Sequence, residues 1–213
     1  MKILDHVARG SEYLVRPIHS AVQSQNNNNG YVHRDLAARN ILVSHRDLTH
    51  PDLLCKVNDF GLTRPMQRVD IQVRRSTSCT SDTSGTSVVK TRAYVQTKEE
   101  KVPLKWMAPE TYFRGKPVYF TEKSEVFSFA ITAWEVLTNG ASPDLAKKNL
   151  KHGEMVLNGK RLKIPDFAGN DTGNDTEFVP LELHELIQQS WDNETTKRPT
   201  FNEIIEKISK IKI

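Results

Sequence analysis

The sequence predicts a mainly α-helical unit that carries one small β-hairpin. Three observations predict it. Apolar residues recur at helical spacing in several separate segments. Two helix starts carry capping residues, Thr121 before Glu122 and Thr200 three residues before Glu203. Two short β-branched runs, Ile41-Leu42-Val43 and Cys55-Lys56-Val57, flank a polar, proline-containing stretch at residues 44–52.

The elements follow in order. Ile3, Leu4, Val7, Ala8 and Leu14 share one face of a first helix, which Gly10 weakens without breaking. The tract Gln23-Ser24-Gln25-Asn26-Asn27-Asn28-Asn29-Gly30 offers nothing to bury and is expected to be a loop. The two short strands come next. Residues 64–101 are expected to be a long loose connection, because the Ser/Thr-rich run from Ser76 to Ser87 has no apolar period. After Thr121, residues 126–137 are apolar almost all round, as in a helix buried on most sides, and Gly140 is a stop signal. A further helix falls within residues 144–157. Pro180 opens another, with Leu183, Leu186, Ile187 and Trp191 on one face. Phe201, Ile204, Ile205 and Ile208 form the stripe of the last.

Composition excludes several classes of function. The 213 residues suffice for one ordinary domain. Thirty Lys and Arg against 26 Asp and Glu give +4, too balanced for a nucleic-acid or membrane-surface protein. Cys55 and Cys79 alone cannot build a disulfide scaffold or a four-cysteine zinc site. No apolar run approaches the ~20 residues of a membrane span, since Ser128, Thr132 and Glu135 interrupt the longest. The first residues lack the apolar core of a signal peptide. A soluble, cytoplasmic chain is expected.

Three motifs carry the chemistry. They are Val32-His33-Arg34-Asp35-Leu36-Ala37-Ala38-Arg39-Asn40-Ile41-Leu42-Val43, then Asn58-Asp59-Phe60-Gly61-Leu62, then Val102-Pro103-Leu104-Lys105-Trp106-Met107-Ala108-Pro109-Glu110. Their order, with Asn40 five residues after Asp35, resembles the large lobe of a protein kinase of the tyrosine-kinase group. The resemblance implies a kinase-like α+β large lobe, with ATP and Mg²⁺ as cosubstrate and cofactor and a protein as substrate or docking partner. Phosphoryl transfer needs an in-line hydroxyl, a proton acceptor and cations on the phosphate oxygens. Asp35 would accept or orient the hydroxyl proton, and Arg39 would supply the nearby cation. Asn40 and Asp59 offer the hard oxygen ligands that Mg²⁺ prefers, and Leu42 would lie under the adenine ring.

The substrate class follows from the same resemblance. Serine/threonine kinases usually carry Lys two residues after the catalytic Asp. That position is Ala37 here, with Arg39 four residues after Asp35, as in the tyrosine-specific group. Pro103 before Lys105-Trp106-Met107 fits that group too. Tyr94, twelve residues before Trp106, stands where relatives often carry an activating tyrosine. A phosphate there would seek Arg34, with Arg64 as a second partner. The resemblance assigns structural roles to His33, Phe60, Gly61, Glu110, Glu125 and Arg198, the Glu110–Arg198 pair being a buried ion pair. Glu125 stands where the family usually has Asp, and Phe127 and Ala130 where it has Trp and Gly.

Two further stretches are decoys. His45-Arg46-Asp47-Leu48 repeats the first tetrapeptide, but Asp52 rather than Asn lies five residues after its Asp, which marks a polar turn. Residues 153–160 fall short of a phosphate-binding Walker loop, being one residue too long with Arg161 where Ser or Thr is required. The family's small lobe is expected to be absent: 32 residues precede His33, and none of the ten glycines lie two positions apart, so no Gly-x-Gly-x-x-Gly loop exists in the chain. Residues 23–30 and 64–101 read as insertions. The sequence thus predicts a tyrosine-kinase-type large lobe inactive in isolation, with a non-catalytic docking or regulatory module as the alternative.

Overall fold

The structure is a computed structural model that describes residues 1–17, 29–74, 86–146, 149–165 and 179–211. Its first helix, α1 (Lys2–Val15), buries Leu4, Val7, Ala8, Ser11 and Val15. Ile3 and Leu14, expected on that face, are only half-buried. The buried line runs straight down the helix at spacings of three and four, so Ser11 and Val15 complete it instead. Gly10 allows close packing, since a Cβ there would stand 3.2 Å from Val57 Cγ2.

Four short strands form two antiparallel pairs. Strand β1 (Tyr31–Val32) pairs antiparallel with β4 (Arg64–Pro65), and β2 (Ile41–Val43) pairs with β3 (Cys55–Val57) in the register Ile41↔Val57. The β2–β3 pair is the expected small hairpin. Its connection holds the repeated His-Arg-Asp-Leu, where Asp47 Oδ1 accepts from the Thr49 amide at 2.9 Å and its hydroxyl at 2.7 Å. The His45 and His50 rings stack at 3.9 Å, closing a polar turn.

Residues 64–101 depart from the expectation of a loose connection. Strand β5 (Gln67–Arg74) pairs with β6 (Thr86–Gln96), and β6 pairs with β7 (Val118–Phe120) to make a three-stranded antiparallel sheet. Val69↔Thr91 and Ile71↔Val89 face each other across the hairpin. Their period-two alternation is a strand pattern that the Ser/Thr-rich run between them masks. Of that run, residues 76–85 lie outside the described residues, as do Cys79 and residues 23–28 of the Asn-rich tract.

The core is helical. α2 (Glu122–Leu137) is buried continuously from Ser124 to Glu135. Thr121 starts it, its amide donating to Ser124 Oγ at 3.0 Å. α3 (Asn149–Leu157) is followed two residues on by Gly159 with φ +81, so residues 153–160 form a helix terminus. α4 (Leu181–Ser190) buries Leu183, Leu186 and Ile187, and Trp191 is buried just beyond it. α5 (Phe201–Lys210) opens with the Thr200/Glu203 capping box and buries Phe201, Ile204 and Ile208. α1 packs against α5 and β3, while α2 packs against α4 and α1. Among the described residues no helix is long and apolar enough to cross a membrane.

Candidate active site

Residues 33–40 form the loop between β1 and β2, closed by a 3₁₀ turn at Ala38–Asn40. Residues 58–61 leave β3 and enter a second 3₁₀ turn at Phe60–Leu62. The β2–β3 pairing brings the two loops side by side. The Asn58 amide donates to the Asn40 carbonyl at 2.8 Å, extending that pairing into the loops.

His33 fastens them together. Its Nδ1 accepts from the Asp35 amide at 3.3 Å, so Nε2 carries the proton and donates to the Asn58 carbonyl at 3.0 Å. Burial pushes its pKa down, against the raising influence of the Asn58 bond and of the Asp35 and Asp59 charges. The neutral imidazole required by these bonds is thus the form its surroundings favour. Both carboxylates act on this one ring. Phe60 packs on it with centroids 5.3 Å apart while staying 53% exposed.

The candidate residues stand as follows. Asp35 forms an ion pair with Arg39, and the Asn40 side-chain amide donates to the Asp35 carbonyl at 2.8 Å. That bond engages Nδ2 of Asn40 and ties the side chain to its own loop. Asp59 is exposed and left-handed at φ 60, with Oδ1 accepting from the Gly61 amide at 3.2 Å. A Cβ at Gly61 would stand 3.2 Å from that same oxygen. Leu42, on β2, is 55% exposed. Among the described residues no group of three or more His, Cys, Asp or Glu could hold a metal ion. An amide and a carboxylate oxygen, as Asn40 and Asp59 carry, are of the hard oxygen type that Mg²⁺ prefers, an ion that fills the rest of its shell with phosphate and water.

The loop is aimed from below by α2. Glu125 Oε1 accepts from the Arg34 amide at 3.0 Å. The extra methylene of Glu over Asp is thus accommodated, and the carboxylate still reaches the loop backbone. Burial pushes its pKa up to about 7, against the bonds from Arg34 and His33. Arg34 is held at φ 69, a left-handed conformation that L residues adopt at a cost of roughly 1–2 kcal/mol.

Sequence reasoning missed a set of residues on this helix. Ser128 donates to the Trp106 carbonyl at 2.8 Å, and Thr132 donates to the Leu36 carbonyl at 3.1 Å. Glu135 Oε2 accepts from the Ala38 amide at 2.9 Å and from Trp106 Nε1 at 2.7 Å. The Trp106 ring in turn lies 4.4 Å from the Arg39 guanidinium. The available signal was their spacing. Residues 125, 128, 132 and 135 share one helical face, and polar residues on a helix buried all round need partners.

Arg34 and Tyr94 also meet. Tyr94 lies on β6 beside Phe120 of β7, half-buried, so it is not an exposed loop residue. The Arg34 guanidinium is 4.8 Å from the Tyr94 ring and 4.7 Å from the Phe120 ring. Arg64, the second expected partner, donates to the Gly61 and Thr63 carbonyls instead. Glu110 and Arg198 form a two-pronged pair, with Nη1–Oε1 at 2.7 Å and Nη2–Oε2 at 2.8 Å.

A loop pair of this construction belongs to a known class. The sequence model of the family described as protein tyrosine and serine/threonine kinase matches residues 1–84 and 80–208. The chain belongs to that family. Among its relatives, the human tyrosine-protein kinase TXK is 30% identical over 99% of this chain and 30% of its own length. The human proto-oncogene tyrosine-protein kinase ROS is 35% identical over 84% of the chain and 6% of its own length. The megakaryocyte-associated tyrosine-protein kinase of Rattus norvegicus is 33% identical over 96% of the chain and 32% of its own length. These relatives are tyrosine kinases, and the chain spans a third or less of each.

Proposed function

We propose that residues 1–213 are the large lobe of a tyrosine-type protein kinase domain, which transfers the γ-phosphoryl group of ATP to a tyrosine hydroxyl of a protein substrate. The hydroxyl proton passes to Asp35 as the new O–P bond forms and the bond from the γ-phosphorus to ADP breaks. Arg39 fixes Asp35 and supplies a positive charge near the transferred group. Asn40 and Asp59 hold Mg²⁺, which when bound neutralises the phosphate oxygens. Leu42 offers an apolar seat for adenine, and Arg34 with Tyr94 forms a regulatory contact. The observation that carries this reading is the mutual fastening of two loops through His33, with Asp35 and Asn40 on one and Asp59 on the other.

The reading places the work in a cytoplasmic setting and gives the isolated chain no activity of its own. Each preorganised donor removed from such a site costs roughly 10²–10³ in rate, and the chain has no Gly-x-Gly-x-x-Gly loop to cradle the phosphates. The alternative reading is a non-catalytic docking or regulatory module.

Mn²⁺ titration of the purified chain, followed by NMR, tests the site. Paramagnetic broadening is expected to centre on Asn40 and Asp59 in the presence of ATP and to vanish in Asp59→Asn. Broadening indifferent to Asp59→Asn overturns the metal site. Incubation with Mg²⁺, ATP and a tyrosine peptide is expected to give no transfer. Asp59-dependent transfer by this chain alone would overturn its inactivity.

A further inference from the structure

We propose that Glu100 is the resident anion of the Arg34 pocket, holding β6 against the catalytic loop in the place that a phosphate on Tyr94 would take. The inference rests on the kinase reading only for the meaning of the segment.

The Arg34 side chain is 0% exposed. A buried guanidinium without an anion is strongly destabilising. Its Nη2 donates to Glu100 Oε2 at 2.7 Å and to Gln96 Oε1 at 2.9 Å. The other Glu100 oxygen, Oε1, accepts from the Tyr94 hydroxyl at 3.0 Å. One carboxylate therefore joins the loop's cation to the tyrosine that would carry the phosphate. Burial raises the pKa of Glu100, but the bonds from Arg34 and Tyr94 and the charges of Arg34 and Arg64 outweigh it and hold the carboxyl below its usual range.

The pocket has capacity for more than a carboxylate. Nε and Nη1 of Arg34 are buried without hydrogen-bond partners. A phosphate brings three acceptor oxygens to a guanidinium that has unused donors. It also brings like charge against Glu100, so the two anions exclude each other. Phosphorylation would thus exchange one anion for another rather than order a loose segment, and β6 is docked in the unmodified chain.

Hydrogen exchange on the whole chain tests this with a crossed design. Wild type and Glu100→Gln are each prepared with Tyr94 unmodified or as phosphotyrosine. The readout is exchange at residues 93–96, with α2 amides as the measure of intact folding. Glu100→Gln is expected to speed exchange there about tenfold or more, in line with losing a charged hydrogen bond. Phosphotyrosine is expected to restore protection in Glu100→Gln and to add none in the wild type. Unchanged exchange in Glu100→Gln, failure of phosphotyrosine to rescue it, or clear tightening of the wild type overturns the proposal. Should Glu100→Gln also lose protection in α2, the wild-type comparison decides alone: tightening overturns the proposal, and unchanged or faster exchange supports it. No catalysis or metal enters this readout, so failure of the Mn²⁺ experiment leaves it intact.

Discussion

Glu125 lies under the loop at residues 33–40 with 3% of its surface exposed, and its carboxyl is pushed up from an ordinary 4.5 to about 7. Below pH 4.5 it is neutral in both folded and unfolded chains. As pH rises to about 7 the unfolded chain releases the proton and the folded chain keeps it, so folding loses ground. Above pH 7 the penalty is constant. The shift corresponds to about 3 kcal/mol. Urea unfolding of wild type and Glu125→Gln at pH 4.5 and pH 8 should therefore show the wild type losing about 3 kcal/mol more than the variant. An equal loss in both would show that Glu125 ionises freely. His33 works in the opposite sense: its lowered pKa makes its stabilisation present above the ordinary imidazole range and lost on acidification. It is common to both proteins, so it drops out of the comparison. At this scale Asp35, Asn40 and Asp59 were legible as candidates, because each sits inside a short motif. Glu100 and Glu135 were not, since their partners lie 66 and 97 residues away.

Elements that announce themselves locally were the legible ones. The Thr200/Glu203 box and the stripe on α5 are written within a dozen residues, and so is the all-round apolar α2. The β5–β6 hairpin was not legible, since its strands are separated by a Ser/Thr-rich run and are held partly by distant groups. Arg92 of β6 is one such tie. Its Nη1 donates to the Val15 carbonyl at the end of α1 and to the Asn29 carbonyl, both at 2.7 Å. Gly30 stands at that junction with φ +83, and a Cβ there would come within 2.3 Å of the Val15 carbonyl oxygen. Its own carbonyl accepts from the Met66 amide at 2.8 Å, just before β5. Gly30→Ala should thus disturb α1, β1 and the hairpin together. The left-handed backbone and the overlap with a rigid carbonyl should cost roughly 2–4 kcal/mol. A denaturation midpoint matching the wild type would contradict the geometry.

Across the whole molecule, the Ala108-Pro109-Glu110 motif is joined to the late helices at Arg198, whose side chain is 0% exposed. Its guanidinium grips both oxygens of Glu110 and also donates to the Asp192 carbonyl at 2.8 Å and the Lys123 carbonyl at 2.9 Å. The Phe127 ring lies 5.1 Å from it, and the Arg161 guanidinium is equally close to that ring. Glu110, with 29% of its side chain exposed, is the anion paired with this buried cation among the described residues. Glu110→Ala would leave the charge of Arg198 buried with backbone carbonyls alone, beside a second guanidinium. Removing one partner of such a pair typically costs about 3–5 kcal/mol. The two carbonyl acceptors remain, so the loss belongs at the lower end, about 3 kcal/mol. Arg198→Met tests the other half, because it removes the cation and leaves a half-exposed carboxylate that water can solvate. Arg198→Met should therefore destabilise less through electrostatics, while leaving the Asp192 and Lys123 carbonyls to find water. The double variant should cost less than the sum of the single ones. Strict additivity in urea unfolding would mean that the pair contributes no coupling between the turn at Pro109–Thr111 and the late helices.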